Sequence, residues 1–154
     1  MLQSVKFGVE YLQTRINREI ALAKHMGVIV ESADDEAVIL RAPLAPNSNH
    51  KGTAFGGSLY SLAVLTGWAW ATRYLAARGI NADAVIQESS MRFLVPVQGE
   101  MRASIEIPSS SEIDKFAKML QRSGRGRISL RVNMHHNLIL ATIFDGLFAA
   151  AMRP

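Results

Sequence analysis

Asn49 and the glycine pair Gly56–Gly57 are the residues whose types and spacing most readily do chemistry in this chain. The segment N-H-K-G-T-A-F-G-G, from Asn49 to Gly57, leads out of a polar loop into a run with no charged residue between Lys51 and Arg73. If that run is helical, the glycines stand on its first turn, where backbone N–H groups have no intrahelical acceptor and can be approached closely. A helix start of that kind favours an anion or a developing oxyanion. The Asn49 amide can accept from a water and donate to a carbonyl, but it cannot act as a base near neutral pH. Each feature also has a structural explanation: glycine permits close packing of loop against sheet, and loop asparagines form turns, the role expected of Asn47.

Other polar residues extend the candidate set. His50 titrates in a useful range, although a lone loop histidine is also simply solvated. Ser58 and Ser61 lie three apart and share a helix face, where serines commonly bond back to the preceding turn. Alternation along a long strand predicts one face carrying Val85, Gln87, Ser89, Met91, Phe93 and Val95, with Gln87 and Ser89 as polar exceptions suited to lining a site. Glu88, Ser90 and Arg92 fall on the other face, so Glu88 is poorly placed as a base. Tyr60, Trp68, Trp70 and Tyr74 either line an apolar slot or belong to the core. Lys115, Lys118, Arg122, Arg125 and Arg127 either meet phosphates or form a solvated face. His25, His50, His135 and His136 lack metal-ligand spacing and the chain has no cysteine, so no metal site and no thiolate chemistry are expected.

These residues need elements to position them. Val9, Leu12, Ile16 and Ile20 recur at helical spacing, which predicts one amphipathic helix over about 7–24, ended by Gly27. Two strands follow, 28–30 and 37–41, with a turn at Ala33–Asp35 and a stop at Pro43 and Pro46. The uncharged run predicts a helix buried on every side and ended by Arg78 and Gly79; its apolar part, Leu59 to Ala71, is shorter than the ~20 residues that span a bilayer. Strands at 84–95 and 100–107, a short helix capped by Ser110 or Ser111 and ended by Gly124, and a hairpin around His135–Asn137 complete the order. Six strands and one buried helix predict an α+β fold in which a curved antiparallel sheet wraps a long central helix. Polar residues on the long third strand suggest that its edge meets a partner.

With 154 residues, 49% of them hydrophobic, the chain can bury the core of one domain spanning 1–154. The net charge of +4 suits attraction of an anionic ligand or ordinary solubility, and no dense basic run with interleaved aromatics points to nucleic acid. The first twenty residues carry charges throughout and lack a secretory apolar core, so a cytoplasmic location is expected.

The element order and the Asn49–Gly57 segment resemble the hotdog-fold acyl-CoA thioesterases, whose motif is N-x-x-G-x-x-H-G-G. A narrower resemblance covers nearly the whole chain: the stretches P-L-x-P-N-x-N and T-A-F-G-G-S-L-Y-S-L-A-V-L-T-G-W are similar to the thioesterase-like domain attached to acetyltransferases in some bacterial proteins. The resemblance implies a hotdog homodimer or dimer of dimers, with third strands paired and two sites between subunits. It puts Asn49 in the place of a catalytic asparagine and Gly56 where a backbone N–H polarises the thioester carbonyl. Gly57, Ser58, Ser61, Gln87 and Ser89 are then candidates for binding substrate. Two places depart from the pattern: Phe55 replaces the motif histidine, and Val64 stands where many relatives carry a helix Asp or Glu.

The resemblance implies hydrolysis of an acyl-CoA or acyl-carrier thioester to a carboxylic acid and a free thiol, without a cofactor. The two departures keep a non-catalytic acyl-CoA or acyl-carrier-protein binding module open beside it. A hotdog dehydratase fits less well, because that chemistry wants a histidine with a carboxylate.

Overall fold

The amino-terminal amphipathic pattern folds as two helices, α1 (Val9–Glu19) and α2 (Ala21–Met26), in a computed structural model that describes residues 5–154. The part of the amino-terminal stretch before Val5 lies outside the described residues. One continuous helix over 7–24 is therefore corrected: the backbone leaves helical geometry at Ile20, φ −120° and ψ 90°, with neither glycine nor proline to announce it. The break leaves α1 docked on the sheet edge. Gln13 accepts a 2.8 Å bond from the Val30 N–H and donates at 3.1 Å to the Val28 carbonyl, so one side chain stands in for a neighbouring strand. Gly27, at φ +72°, ends α2 in the left-handed conformation that glycine adopts freely.

The strands are β1 (Ile29–Ala33), β2 (Val38–Ala42), β3 (Ala82–Phe93), β4 (Met101–Glu106), β5 (Arg125–His136) and β6 (Ile139–Met152). They form one antiparallel sheet in the order β1-β2-β4-β5-β6-β3. Alternation on β5 and β6 buries Ile128, Leu130, Val132, Phe144 and Phe148 on the inner face. The outer face carries cross-strand ion pairs such as Arg131–Asp145 and Glu31–Arg102, each at 2.8 Å. At the β5–β6 turn Asn137 and Leu138 take positive φ, the backbone of a two-residue hairpin.

Across the inner face runs the central helix α3 (Gly56–Ala77), which is the filling of the wrapped sheet. Leu59, Leu62, Ala63, Leu65, Ala69, Trp70 and Tyr74 are buried, and Thr66 satisfies its hydroxyl on the Leu62 carbonyl at 2.7 Å. Gly67 permits the close approach of helix to sheet, because a Cβ there would meet the Phe148 ring at 2.5 Å. Burial on every side is corrected in one respect: Gly57, Tyr60, Ser61, Val64 and Trp68 form a stripe at helical spacing that this chain leaves partly uncovered. Helix α4 (Ser110–Ser123) packs Phe116 and Leu120 against Gly126 at the start of β5. Its cap is Ser109 rather than Ser110 or Ser111. The Ser109 hydroxyl accepts from the Glu112 N–H, and the Glu112 carboxylate accepts in return from the Ser109 N–H, a capping box.

The face assignment on β3 also changes. Ile86 pairs with Phe148 and Glu88 with Leu147, so Gln87 is an extra residue in a bulge and the inward phase shifts by one across it. Ala84 and Ile86 face the helix before the bulge; Ser89, Met91 and Phe93 face it afterwards. Val85, 60% exposed, and Gln87 line a groove with Arg127 and Ala149 on the outer side. Glu88, Ser90 and Arg92 remain on the outer face as expected.

Candidate active site at the start of the central helix

The loop before α3 is built by its two asparagines. Asn47, only 2% exposed, donates through Nδ2 to the Met26 and Pro43 carbonyls, both at 2.8 Å, and its own carbonyl accepts the Phe55 N–H at 2.7 Å. It thereby ties the end of α2 to the residue before α3, the structural role expected of it. The Ala54 N–H to Val97 carbonyl bond, 2.8 Å, fixes the same segment to the β3–β4 connection.

Asn49 organises the tight turn between. Its Oδ1 accepts the N–H groups of Lys51 at 2.8 Å and Thr53 at 3.1 Å, and its Nδ2 donates to Thr53 Oγ at 2.9 Å. Both acceptor positions of the amide are thus taken inside the loop, and one Nδ2–H is left. In this geometry Asn49 can donate to a carbonyl or a water oxygen but cannot accept from an attacking water, which narrows the role read from its type alone. His50, next to it, is exposed.

Phe55 caps α3 without a side-chain hydrogen bond, and the N–H groups of Gly56 and Gly57 find no acceptor among the described residues. Two donors are therefore presented at the positive end of a 22-residue helix. Two phenyl rings flank them. A Cβ on Gly57 would come within 2.5 Å of the Phe55 ring, whereas one on Gly56 would make ordinary contact with Phe93 at 3.7 Å. Phe55 and Phe93 are both more than half exposed, so the helix start sits beside an open apolar surface.

Of the other candidates, Ser61 bonds back to the Gly57 carbonyl at 2.8 Å, and Ser58 is half-buried on the first turn. Ser89 meets Tyr60: their oxygens are 2.5 Å apart, linking β3 to α3 one turn past the glycines. Gln87, by contrast, sits on the outer face and does not join this group. The four aromatics divide. Trp70 and Tyr74 stack in the core at 5.2 Å, whereas Tyr60 and Trp68 line an apolar groove of about 400 Å³ between α3, the α1–α2 break and the first half of β3.

Val64 also lines that groove, so the helix position at which the motif pattern places an Asp or Glu is apolar both in type and in surroundings. Among the described residues no group of His, Cys, Asp and Glu is arranged to hold a metal ion, and no helix is long and apolar enough to cross a membrane.

Residues 9–152 match the family model YiiD_C, described as "Putative thioesterase (yiiD_Cterm)". The chain belongs to this family. A protein of unknown function from Chlorobaculum tepidum shares 30% identity over 94% of both chains, with a TM-score of 0.90. A Shewanella oneidensis protein given as a "putative thioesterase" shares 26% over 94% of this chain and 97% of its own, at 0.84. The PaaI protein of the E. coli phenylacetic acid degradation operon, at 16% identity and 0.64 over 95% and 94%, shares the fold alone. The fold is the hotdog of the thioesterase superfamily, and the membership supports a thioesterase type of function.

Proposed function

We propose that this family member hydrolyses an acyl-CoA, or an acyl-carrier thioester, to a carboxylic acid and a free thiol. The observation that carries this reading is the pair of unpaired N–H groups at Gly56 and Gly57, presented at the start of the buried helix beside the Asn49 turn. Water adds to the thioester carbonyl carbon, and the oxyanion that forms accepts from those N–H groups. Collapse of the adduct breaks the C–S bond; the water oxygen stays with the acid and one of its protons passes to sulfur. A well-placed oxyanion donor is worth about 3 kcal/mol in the transition state. Asn49 orients the thioester through its remaining Nδ2–H, and Ser58, Ser61 and Ser89 lie along the path of the acyl group.

The working unit in this proposal is one hotdog domain over 1–154, paired as a homodimer through β3. Gln13 covers the β1 edge, while β3 pairs only with β6 among the described residues and is bordered by exposed Phe93, Leu94 and Val95. A partner there would cover the apolar ground around the helix start and could bring the carboxylate that Val64 does not provide. Light scattering at micromolar concentration should give a dimer; a monomer would remove the shared-site part of the proposal.

A second reading, a non-catalytic acyl-CoA or acyl-carrier binding module, is favoured specifically by Phe55 and Val64. A thiol-release screen over short, long, branched and aryl acyl-CoAs separates the two. Turnover with at least one of them is expected. Thermal stabilisation by acyl-CoA with no thiol released would favour the binding module instead.

A further inference from the structure

We infer that Trp68 sets the upper length of the acyl chain that this protein accepts, an inference that rests on the thioester reading above. The groove beside α3 is apolar along its length, with Val64, Leu65, Ile86 and Phe148 among its walls. Two of its polar lining groups are already committed, Ser61 Oγ to the Gly57 carbonyl and Tyr60 Oη to Ser89, which leaves the Trp68 indole N–H as the remaining side-chain donor. Its α3 wall begins at Tyr60 and Ser61, one helical turn past the unpaired N–H groups of Gly56 and Gly57. This polarity, donors at one end and apolar walls beyond, is complementary to a carbonyl followed by an unbranched alkyl chain.

Trp68, half-buried, is the last residue of α3 to line the groove, and the Arg15 guanidinium lies over its ring at 5.7 Å. Arg15 is itself held by a fork of bonds to Glu19, the shortest 2.8 Å, and by a 3.1 Å bond to Tyr11 Oη. Trp68 is thus a wall with a charged backing. A chain that pushed past the indole would have to desolvate the Arg15–Glu19 pair, which apolar carbon cannot replace water in solvating. From Gly57 to Trp68 the helix rises about 16 Å at 1.5 Å per residue, a span that an extended chain of roughly ten to twelve carbons fills.

The test measures kcat/KM for thiol release from saturated acyl-CoAs of increasing length, with melting temperatures recorded for each variant. In the wild type kcat/KM should rise by up to about fourfold per methylene buried in the groove, then level off or fall near twelve carbons. Trp68→Ala should move that break outward by roughly two to four carbons, the reach of an indole beyond a methyl group, while Trp68→Phe restores most of the limit. Val64→Phe, which fills the middle of the groove, should move the break inward and covers the case in which Trp68→Ala fails to fold. A break at the same length in folded Trp68→Ala or Val64→Phe, or a wild type indifferent to length, would overturn the inference and point to a second copy of the chain filling the groove. If the wild type cleaves neither this series nor any thioester of the wider screen, the hydrolytic reading fails on its own. The same variants are then read by calorimetric affinity, where a break that moves with residue 68 supports the length limit and a stationary or absent one refutes it.

Discussion

Asn49 shows how one side chain can serve a loop and a substrate at once, and how the two roles can be pulled apart. Its Oδ1 holds two backbone N–H groups and its Nδ2 holds Thr53, so Asn49→Ala should lose about 1–2 kcal/mol of stability together with activity. Asn49→Asp keeps oxygens for Lys51, Thr53 and the Thr53 hydroxyl but has no N–H to offer. It should melt close to the wild type and still lose about tenfold or more in kcat/KM, measured by thiol release. Full activity in Asn49→Asp would leave Asn49 as a turn residue only. The glycines make a second pair of probes: Gly56→Ala meets Phe93 at an ordinary distance, whereas Gly57→Ala must displace the Phe55 ring. Gly57→Ala should therefore disturb catalysis more than Gly56→Ala, with the alanine-for-glycine change in the helix offsetting part of any stability loss in both.

At the scale of elements, the β1–β2 hairpin is tied to α3 by a buried cation. Arg73 has a side chain 5% exposed and donates through Nη1 at 2.9 Å to Asp35, which is 76% exposed at the hairpin turn. Its Nε and Nη2 have no partner among the described residues. A buried guanidinium with one ion pair is a poor source of stability, because removing the charge recovers its desolvation. Arg73→Met should leave the melting temperature unchanged or raise it, and Asp35→Ala should lower it by the equivalent of about 1–2 kcal/mol, since it strands the cation. Thermal denaturation of the two variants side by side checks the asymmetry.

For the whole molecule, pH acts through ion pairs, one within α1 and two that join distant parts of the chain. Hydrogen bonds from Arg102 lower the Glu31 carboxyl, those from Arg15 lower Glu19, and those from Arg153 at the carboxyl end lower Asp83 at the start of β3. A carboxyl held below its unfolded value stabilises the fold above that value and loses the contribution as pH falls through the folded one. The melting temperature should therefore stay flat from pH 7 to about 5 and drop below the ordinary glutamate value of 4.5, and the drop should shrink in high salt because these pairs are exposed. A melting temperature that instead rises on acidification would contradict the assignment of these pairs as stabilising.

Periodicity made the element order, the α+β class and the wrapped helix legible without coordinates, because hydrophobic spacing and glycine stops act within a few residues of sequence. The motif likewise located Asn49, Gly56 and Gly57 at a helix start. The β3 bulge was not legible: Ala84, Val85 and Ile86 are all apolar, so alternation allowed one odd face to run unbroken from Val85 to Val95, and only the pairing with β6 revealed the extra residue. Nothing local announced the break at Ile20, since it serves the Gln13 bonds to a strand that begins nine residues later. Tertiary packing alone divided the aromatics into Trp70 and Tyr74 for the core and Tyr60 and Trp68 for the groove, because which side of a helix is covered depends on strands far away in sequence. It also turned Asn49 from a group that could accept and donate into one whose acceptors are already taken. Residue type sets what a side chain can bond; only the folded loop decides which of those bonds remain open to a substrate.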